Sequence, residues 1–485
     1  MSLKIAMFAS EMDPFIKTGG LADVIGSLPR ALATQVKQID IFLPYYRDIK
    51  KKNLNVERVP FEFKIKIGSH TYKGNVFRLK TDLANMSIYF IDNYRFFGQR
   101  AQLYVKNGKD YRDNLSRFIF FCRGALRTII DQWSSTSYDI FHMHDWQTAL
   151  IGLYVKLSRF FQKNSLPLRI FTIHNLAYQG KFSRSHFSKL GIDNSYFHPD
   201  RLEFWGKINL MKAGLLYCDI ITTVSPTYAQ EIQTDKYGSG LGHLINEKSS
   251  NLYGILNGVD YQVWNPKTDP YIAANYSKND LSGKKICKTR LQQTFQLKED
   301  HSIPILCVVS RLVWQKGMDL VLKVLPKFLK KEIQFILLGT GEPGLEKQFN
   351  KLGKDFSNKT GIALTFNDQL AHQIEAGSDI FLMPSRYEPC GLNDKYSLKY
   401  GTIPIVNRTG GLADSVIDYI KDPKEGTGFV FDFFDEKQFE NAIKHALRVF
   451  TLKSEWHALM KRGMEKDFSW SKAAEEYLKL YQKRN

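Results

Sequence analysis

Short apolar runs alternate with helical patterns almost from one end of the chain to the other, which is the signature of parallel sheets crossed by helices. Strands are expected at Lys4–Ala9, Gln38–Leu43, Ser87–Ile91, Asp139–His142, Leu168–Ile173 and Ile220–Val224. A second series follows at Ile303–Val309, Ile333–Leu338, Ala363–Phe366, Ile380–Met383 and Ile403–Val406. Several are rich in Ile, Val and Phe with little alternation, as strands buried on both faces are. Helical stretches such as Ala149–Phe161 and Met318–Leu329 lie between them. Turn chemistry gathers at Gly254, Asn257-Gly258 and Asn265-Pro266. The fold expected is α/β, with two Rossmann-like doubly wound domains over residues 1–250 and 251–465. Residues 466–485 should hold a last helix that packs back on the N-terminal domain, with Ala473, Tyr477 and Leu480 at helical spacing.

At 485 residues, with 43% hydrophobic and 24% charged, the chain can bury two sizeable cores and is not disordered. The N-terminus reads as a buried strand and not as a signal peptide, and no apolar stretch is long enough to span a bilayer. Five scattered cysteines without metal spacing fit a reducing compartment, so a cytoplasmic location is expected. The net charge of +19 is spread along the chain without a nucleic-acid-binding motif. Neither a nucleic acid nor a membrane is expected as a partner, and the sequence does not fix the oligomeric state.

One phrase occurs twice. Lys17-Thr18-Gly19-Gly20-Leu21-Ala22-Asp23 follows the first strand, and Arg408-Thr409-Gly410-Gly411-Leu412-Ala413-Asp414 follows the last of the second series. Each copy sets a cation beside a Gly-Gly turn that opens a helix (Ala22–Leu32 and Ala413–Ile420), where backbone N–H groups attract anions and polar oxygens. In open α/β sheets, ligands sit beyond the carboxyl ends of the strands. Two more motifs lie there. In Ser310–Gly317, Arg311 and Lys316 can reach one anion. In Pro384–Leu392, Glu388 stands beside the N–H groups of Cys390, Gly391 and Leu392, which suits a sugar phosphate. His142 and His144 share one face of a strand. No third metal ligand accompanies them, so no metal and no cofactor are expected, and His144-Asp145 reads as a structural pair. His174-Asn175 ends the next strand with donors and acceptors for hydroxyls.

Together these motifs resemble bacterial glycogen synthases and plant starch synthases, which are retaining GT-B glucosyltransferases. The resemblance rests on Lys17–Asp23, Asp110–Asn114 with Arg117-Phe118, His144-Asp145-Trp146, Thr172–Gly180 and Thr223–Tyr228. It continues through Gly254–Asp260, Ser310–Gly317, Glu388–Leu392 and Thr409–Asp414. It implies a cleft between the two domains, and transfer of glucose from ADP-glucose to the non-reducing end of an α-1,4-glucan with retention of configuration. It further implies catalytic roles for Glu388, His174, Arg311 and Lys316. Substrate binding would fall to Lys17, Gly19, Gly20, Asp23, Asn257, Lys288, Phe366, Cys390, Gly391, Leu392, Thr409 and Gly410.

The chain departs from the family pattern at three positions. Asp394 replaces a usual Gln and would set a negative charge near the diphosphate unless a cation offsets it. Phe366 stands where Tyr is common near the base, and Gln147 replaces a frequent His. UDP-glucose or another sugar nucleotide remains open as the donor. So does a non-catalytic relative that binds glucan or nucleotide.

Overall fold

The computed structural model describes residues 2–106, 108–132, 138–164 and 166–483. The chain divides into two compact units. The first comprises Met1–Val224, Ala229–Ile255 and Trp470–Asn485, and the second comprises Ser225–Tyr228 and Leu256–Ser469.

The first unit is built on a nine-stranded sheet. Its order is Leu252–Gly254, Ile220–Thr223, Leu168–Ile173, Ile140–His144, Lys4–Phe8, Gln38–Pro44, Met86–Asp92, His70–Lys80 and Glu57–Ile67. All pairings are parallel as far as Met86–Asp92, and the last two strands add an antiparallel hairpin. The parallel strands carry Ile5, Ala6, Met7, Phe8, Ile39, Ile41 and Phe42, all fully buried, as crossover helices on both faces require. The helix Trp470–Tyr481 buries Ala473, Ala474, Tyr477 and Tyr481, and the Tyr481 hydroxyl lies 2.8 Å from His142 Nδ1.

The second unit holds a six-stranded, all-parallel sheet. Its order is Thr360–Ala363, Gln334–Leu338, Ile305–Val309, Ile380–Met383, Ile403–Asn407 and Phe429–Phe431. Two apolar cores flank it. The larger packs Val321, Val324, Leu325 and Phe328 of the helix Met318–Leu329 against Leu306, Val308 and Leu337. Among the described residues no helix is long and apolar enough to cross a membrane.

Several boundaries differ from the sequence reading. The stretch expected to be one helix over Ala149–Phe161 breaks at Ser158, whose extended backbone separates Leu150–Leu157 from Arg159–Lys163. The strand expected at Ala363–Phe366 runs instead from Thr360 to Ala363, so Phe366 lies on the loop beyond it. The second Gly-Gly helix spans only Gly410–Ser415 and ends where Val416 turns extended. The hairpin Glu57–Lys80 was not anticipated.

Candidate active site

Six loops leave the carboxyl ends of the second unit's strands, and most of the motif residues there ride on them. The loop after Ile305–Val309 carries Arg311 and Lys316, and the loop after Ile380–Met383 carries Glu388. Gly317 joins the two. Its φ is +70°, and a Cβ there would stand 2.0 Å from the Pro384 carbonyl oxygen, so only glycine allows this approach. The Arg386 N–H donates to the Gln315 carbonyl at 2.9 Å, and the Gln315 amide donates to the Tyr387 carbonyl at 3.2 Å. The Arg386 guanidinium forms a bidentate pair with Asp319 at 2.7 Å and lies over the Trp314 ring.

Lys316 donates to the Glu388 carboxylate, and the Ser385 hydroxyl donates to the same oxygen, Oε2, at 3.0 Å. Oε1 is left without a partner among the described residues, although Glu388 is only 6% exposed. A buried carboxylate with one satisfied and one open oxygen is ready to accept a hydroxyl. Arg311 is exposed and has no ion-pair partner among the described residues. The N–H groups of Cys390, Gly391 and Leu392 likewise have no acceptor there. Asn257 is buried close by, its backbone N–H toward the Cys390 sulfur and its Oδ1 without a partner among the described residues. Phe366 is 80% exposed beyond the strand Thr360–Ala363.

The two Gly-Gly turns are used differently. Gly19 and Gly20 are exposed, nothing lies within 4 Å of where a Cβ would stand on either, and their N–H groups have no acceptor among the described residues. The loop before them is pinned by buried Glu11, which accepts from the Thr18 N–H, from the Thr18 hydroxyl at 2.6 Å and from the Tyr104 hydroxyl at 2.6 Å. Lys17 pairs with Asp23 at 2.5 Å. Burial raises the Asp23 carboxyl above its usual range, and Lys17 opposes that shift.

The second copy faces inward. The Gly411 N–H donates to the Glu388 carbonyl at 3.0 Å, and a Cβ on Gly411 would lie 1.7 Å from the Cys390 carbonyl oxygen. Gly410, at φ +43°, abuts the Glu388 carbonyl as closely, and Thr409 is fully buried. This turn braces the backbone of Glu388–Cys390. Arg408 is paired with Asp432 at 2.5 Å, and Asp414 caps Thr227 through N–H and hydroxyl bonds of 2.9 and 2.7 Å.

Two further expectations change. Lys288, expected to bind substrate, is 5% exposed and donates to Asp379 at 2.7 Å and to the His301 carbonyl at 3.1 Å. Asp379 also accepts the Ile305 N–H at 2.8 Å, so Lys288 anchors a strand start. Asp394 does not face a diphosphate loop as an uncompensated charge. It is fully buried, accepts from the Ser415 hydroxyl at 2.5 Å and lies 3.6 Å from the equally buried Lys395 ammonium. Burial still holds the Asp394 carboxyl above its ordinary range, against the pull of Lys395 and Ser415.

In the first unit the histidines form one buried chain. His142 Nε2 lies 2.6 Å from the Thr172 hydroxyl, the His142 and His144 rings are 4.1 Å apart, and His144 Nδ1 lies 3.0 Å from His174 Nε2. Burial presses His142 and His174 down to about 3. Asp145 does not pair with the His144 side chain. Its carboxylate accepts the His174 N–H at 2.8 Å, and burial pushes it up to about 7.

Comparison with known proteins decides the family. The starch synthase catalytic domain family matches residues 4–247, and the family of glycosyl transferases group 1 matches residues 289–455. The chain is 42% identical to glycogen synthase 2 of Geobacter metallireducens and 42% identical to the glycogen synthase of Geotalea daltonii, in each case over 99% of this chain and 98% of the relative. The chain belongs to the glycogen and starch synthase family. It is also similar to the catalytic domain of starch synthase IV from Arabidopsis thaliana, solved bound to ADP and acarbose. That match has a TM-score of 0.89 at 33% identity over 99% of both chains. This synthase is therefore a GT-B glycosyltransferase with two Rossmann-like domains. Sequence reasoning missed Glu11 and Tyr104, which hold the family's first glycine loop. It also missed Lys395, whose position beside Asp394 was the available signal.

Proposed function

We propose that this synthase transfers glucose from ADP-glucose to the 4-hydroxyl at the non-reducing end of an α-1,4-glucan, with retention at the anomeric carbon. The observation that carries this reading is the strand-end cluster of the second unit. There, among the described residues, an Arg311 without an ion-pair partner, a Lys316 shared with Glu388 and three N–H groups without acceptors lie on loops beside a carboxylate with one open oxygen.

In this reading, Arg311 and Lys316 hold the diphosphate and stabilise the charge that grows as the C1–O bond to it breaks. Glu388 Oε1 accepts a hydroxyl of the glucose being transferred. The N–H groups of Cys390, Gly391 and Leu392 take phosphate or sugar oxygens. Phe366 offers a ring to the base. The acceptor hydroxyl forms the new C1–O4 bond from the face that the diphosphate leaves, and its proton passes to the departing diphosphate. Lys17, Gly19, Gly20 and Asp23 are proposed donor contacts, and His174 contacts the glucose. Asn257, Thr409 and Gly410 are proposed substrate contacts beside Cys390 and Glu388.

The non-catalytic alternative drew its force from the charge of Asp394, and the buried Lys395 beside it removes that force. The test is incubation with glycogen and radiolabelled ADP-glucose or UDP-glucose, with Lys316→Ala and Glu388→Ala in parallel. Label should enter amylase-sensitive glucan from ADP-glucose at a rate at least about tenfold above UDP-glucose, with each variant at least about a hundredfold slower. Equal incorporation from both donors would overturn the donor assignment. Near-normal synthesis by either variant would overturn that residue's role.

A further inference from the structure

One surface feature of the first unit sets an exposed aromatic ring on a strained backbone. Glu203–Phe204 and Lys207–Asn209 pair antiparallel with Phe204 opposite Lys207, so Trp205-Gly206 is a two-residue turn. Both residues have positive φ, +50° and +75°. Such turns favour Asn-Gly, and a bulky side chain at the first position is strained. The turn is nevertheless clamped, because Glu203 Oε1 accepts the Gly206 N–H at 2.6 Å.

The strained residue presents its ring to solvent, for Trp205 is 78% exposed. The other side of the indole is backed. The buried Phe204 stacks on it at 4.6 Å between centroids and 25° between planes. A Cβ on Gly240 would stand 3.0 Å from the indole Cη2, so that backbone closes one edge. The hairpin is tied to the loop that carries His174. Buried Gln179 accepts from the Asn209 amide at 2.8 Å and donates to the Ser239 carbonyl at 3.0 Å. Tyr178, 57% exposed, immediately precedes Gln179 on that loop.

We propose that the open face of Trp205 is a platform on which a glucose ring of an α-glucan stacks, as part of the acceptor side of this synthase. The proposal rests on the reaction given above. A pyranose presents an apolar face of C–H groups to an aromatic plane, and a ring held by a clamped turn loses little freedom when it binds. A neutral polysaccharide needs no cation, and Trp205 supplies none.

The test uses the whole chain with Trp205→Asn, Trp205→Tyr and unsubstituted protein. Asparagine tolerates the left-handed backbone, so the thermal midpoint should hold or rise, which separates folding from binding. In Trp205→Asn the KM for glycogen should rise about five- to tenfold, with the KM for the sugar nucleotide unmoved. Retardation in a native gel containing glycogen should weaken in step, and Trp205→Tyr should restore most of it. Unchanged glycogen KM and retardation in Trp205→Asn would overturn the platform. A change in the eluted mass of Trp205→Asn would also overturn it, by making the indole a self-association surface. If unsubstituted protein makes no glucan, the reaction is wrong, and the gel still decides whether Trp205 holds glycogen.

Discussion

A single methyl group distinguishes the two Gly-Gly turns. Gly411→Ala drives a Cβ into the Cys390 carbonyl, 1.7 Å away, so the backbone that carries Glu388 must shift. The expected outcome is a loss of about 2–4 kcal/mol in unfolding free energy together with loss of glucosyl transfer. Gly19→Ala meets nothing within 4 Å, and Gly19 already has extended backbone, so its stability should stay within about 0.5 kcal/mol. Thermal unfolding and nucleotide titration of the pair check both statements, and weakened nucleotide binding in Gly19→Ala would then be a contact effect. The Asp394–Lys395 pair makes a second prediction. Lys395→Met strands a carboxylate in the core and should cost about 3–5 kcal/mol, while Asp394→Asn with Lys395→Leu should recover most of it. A single variant as stable as the double would contradict the pairing seen here. Residue types at strand ends were legible from sequence, while the contact between Lys316 and Glu388 is seen only in the fold. Burial was not legible either. Lys288 looks like any basic residue until Asp379, distant in sequence, is placed beside it.

Among the elements, the helix Trp470–Tyr481 has the most to test. The hydroxyl of Tyr481 is the partner of His142 Nδ1, and His142 Nε2 faces Thr172, whose hydroxyl lies 2.6 Å from that of Thr222. Tyr481→Phe leaves a buried ring nitrogen unpaired and should destabilise the first unit by about 1–3 kcal/mol. Faster amide exchange in the strand Ile140–His144 would register it, and unchanged exchange would show that the bond contributes nothing. The spacing of Ala473, Tyr477 and Leu480 announced this helix, and runs of Ile, Val and Phe announced the parallel strands. The hairpin Glu57–Lys80 carries a weaker signal, because its buried residues are few (Phe63, Ile65 and Ile67 on one strand, Gly74 and Val76 on the other) and lie among charged and polar ones. The break at Ser158 was silent, since the apolar pattern runs straight through it.

For the whole molecule, acid is the relevant stress. His142 and His174 are held down to about 3 in the fold, against 6.5 for an unhindered imidazole, and burial holds His144 well below its ordinary value too. Between those values the unfolded chain binds more protons, so stability falls as pH drops below about 6.5, by about 1.4 kcal/mol per pH unit for each such histidine. Asp145, raised to about 7 from 3.8, acts oppositely, because its folded form takes a proton first on acidification. Asp23, Asp40, Glu375 and Asp394, also raised by burial, act in the same direction as Asp145, so the histidine contribution is read against that background, while the formal charge of +19 adds repulsion on acidification. His142→Gln keeps a donor and an acceptor but does not titrate. Its unfolding midpoint should fall less between pH 7 and pH 5 than that of the unsubstituted chain, and parallel curves would contradict the buried-neutral state. The division of the chain has its own effect on biosynthesis. Residues 1–255 leave the ribosome long before Trp470–Tyr481 exists, yet that helix is part of the same compact unit. The opening half of the polypeptide therefore emerges with an uncovered apolar flank. It has to be shielded, by chaperones or by partial collapse, until translation supplies its closing piece.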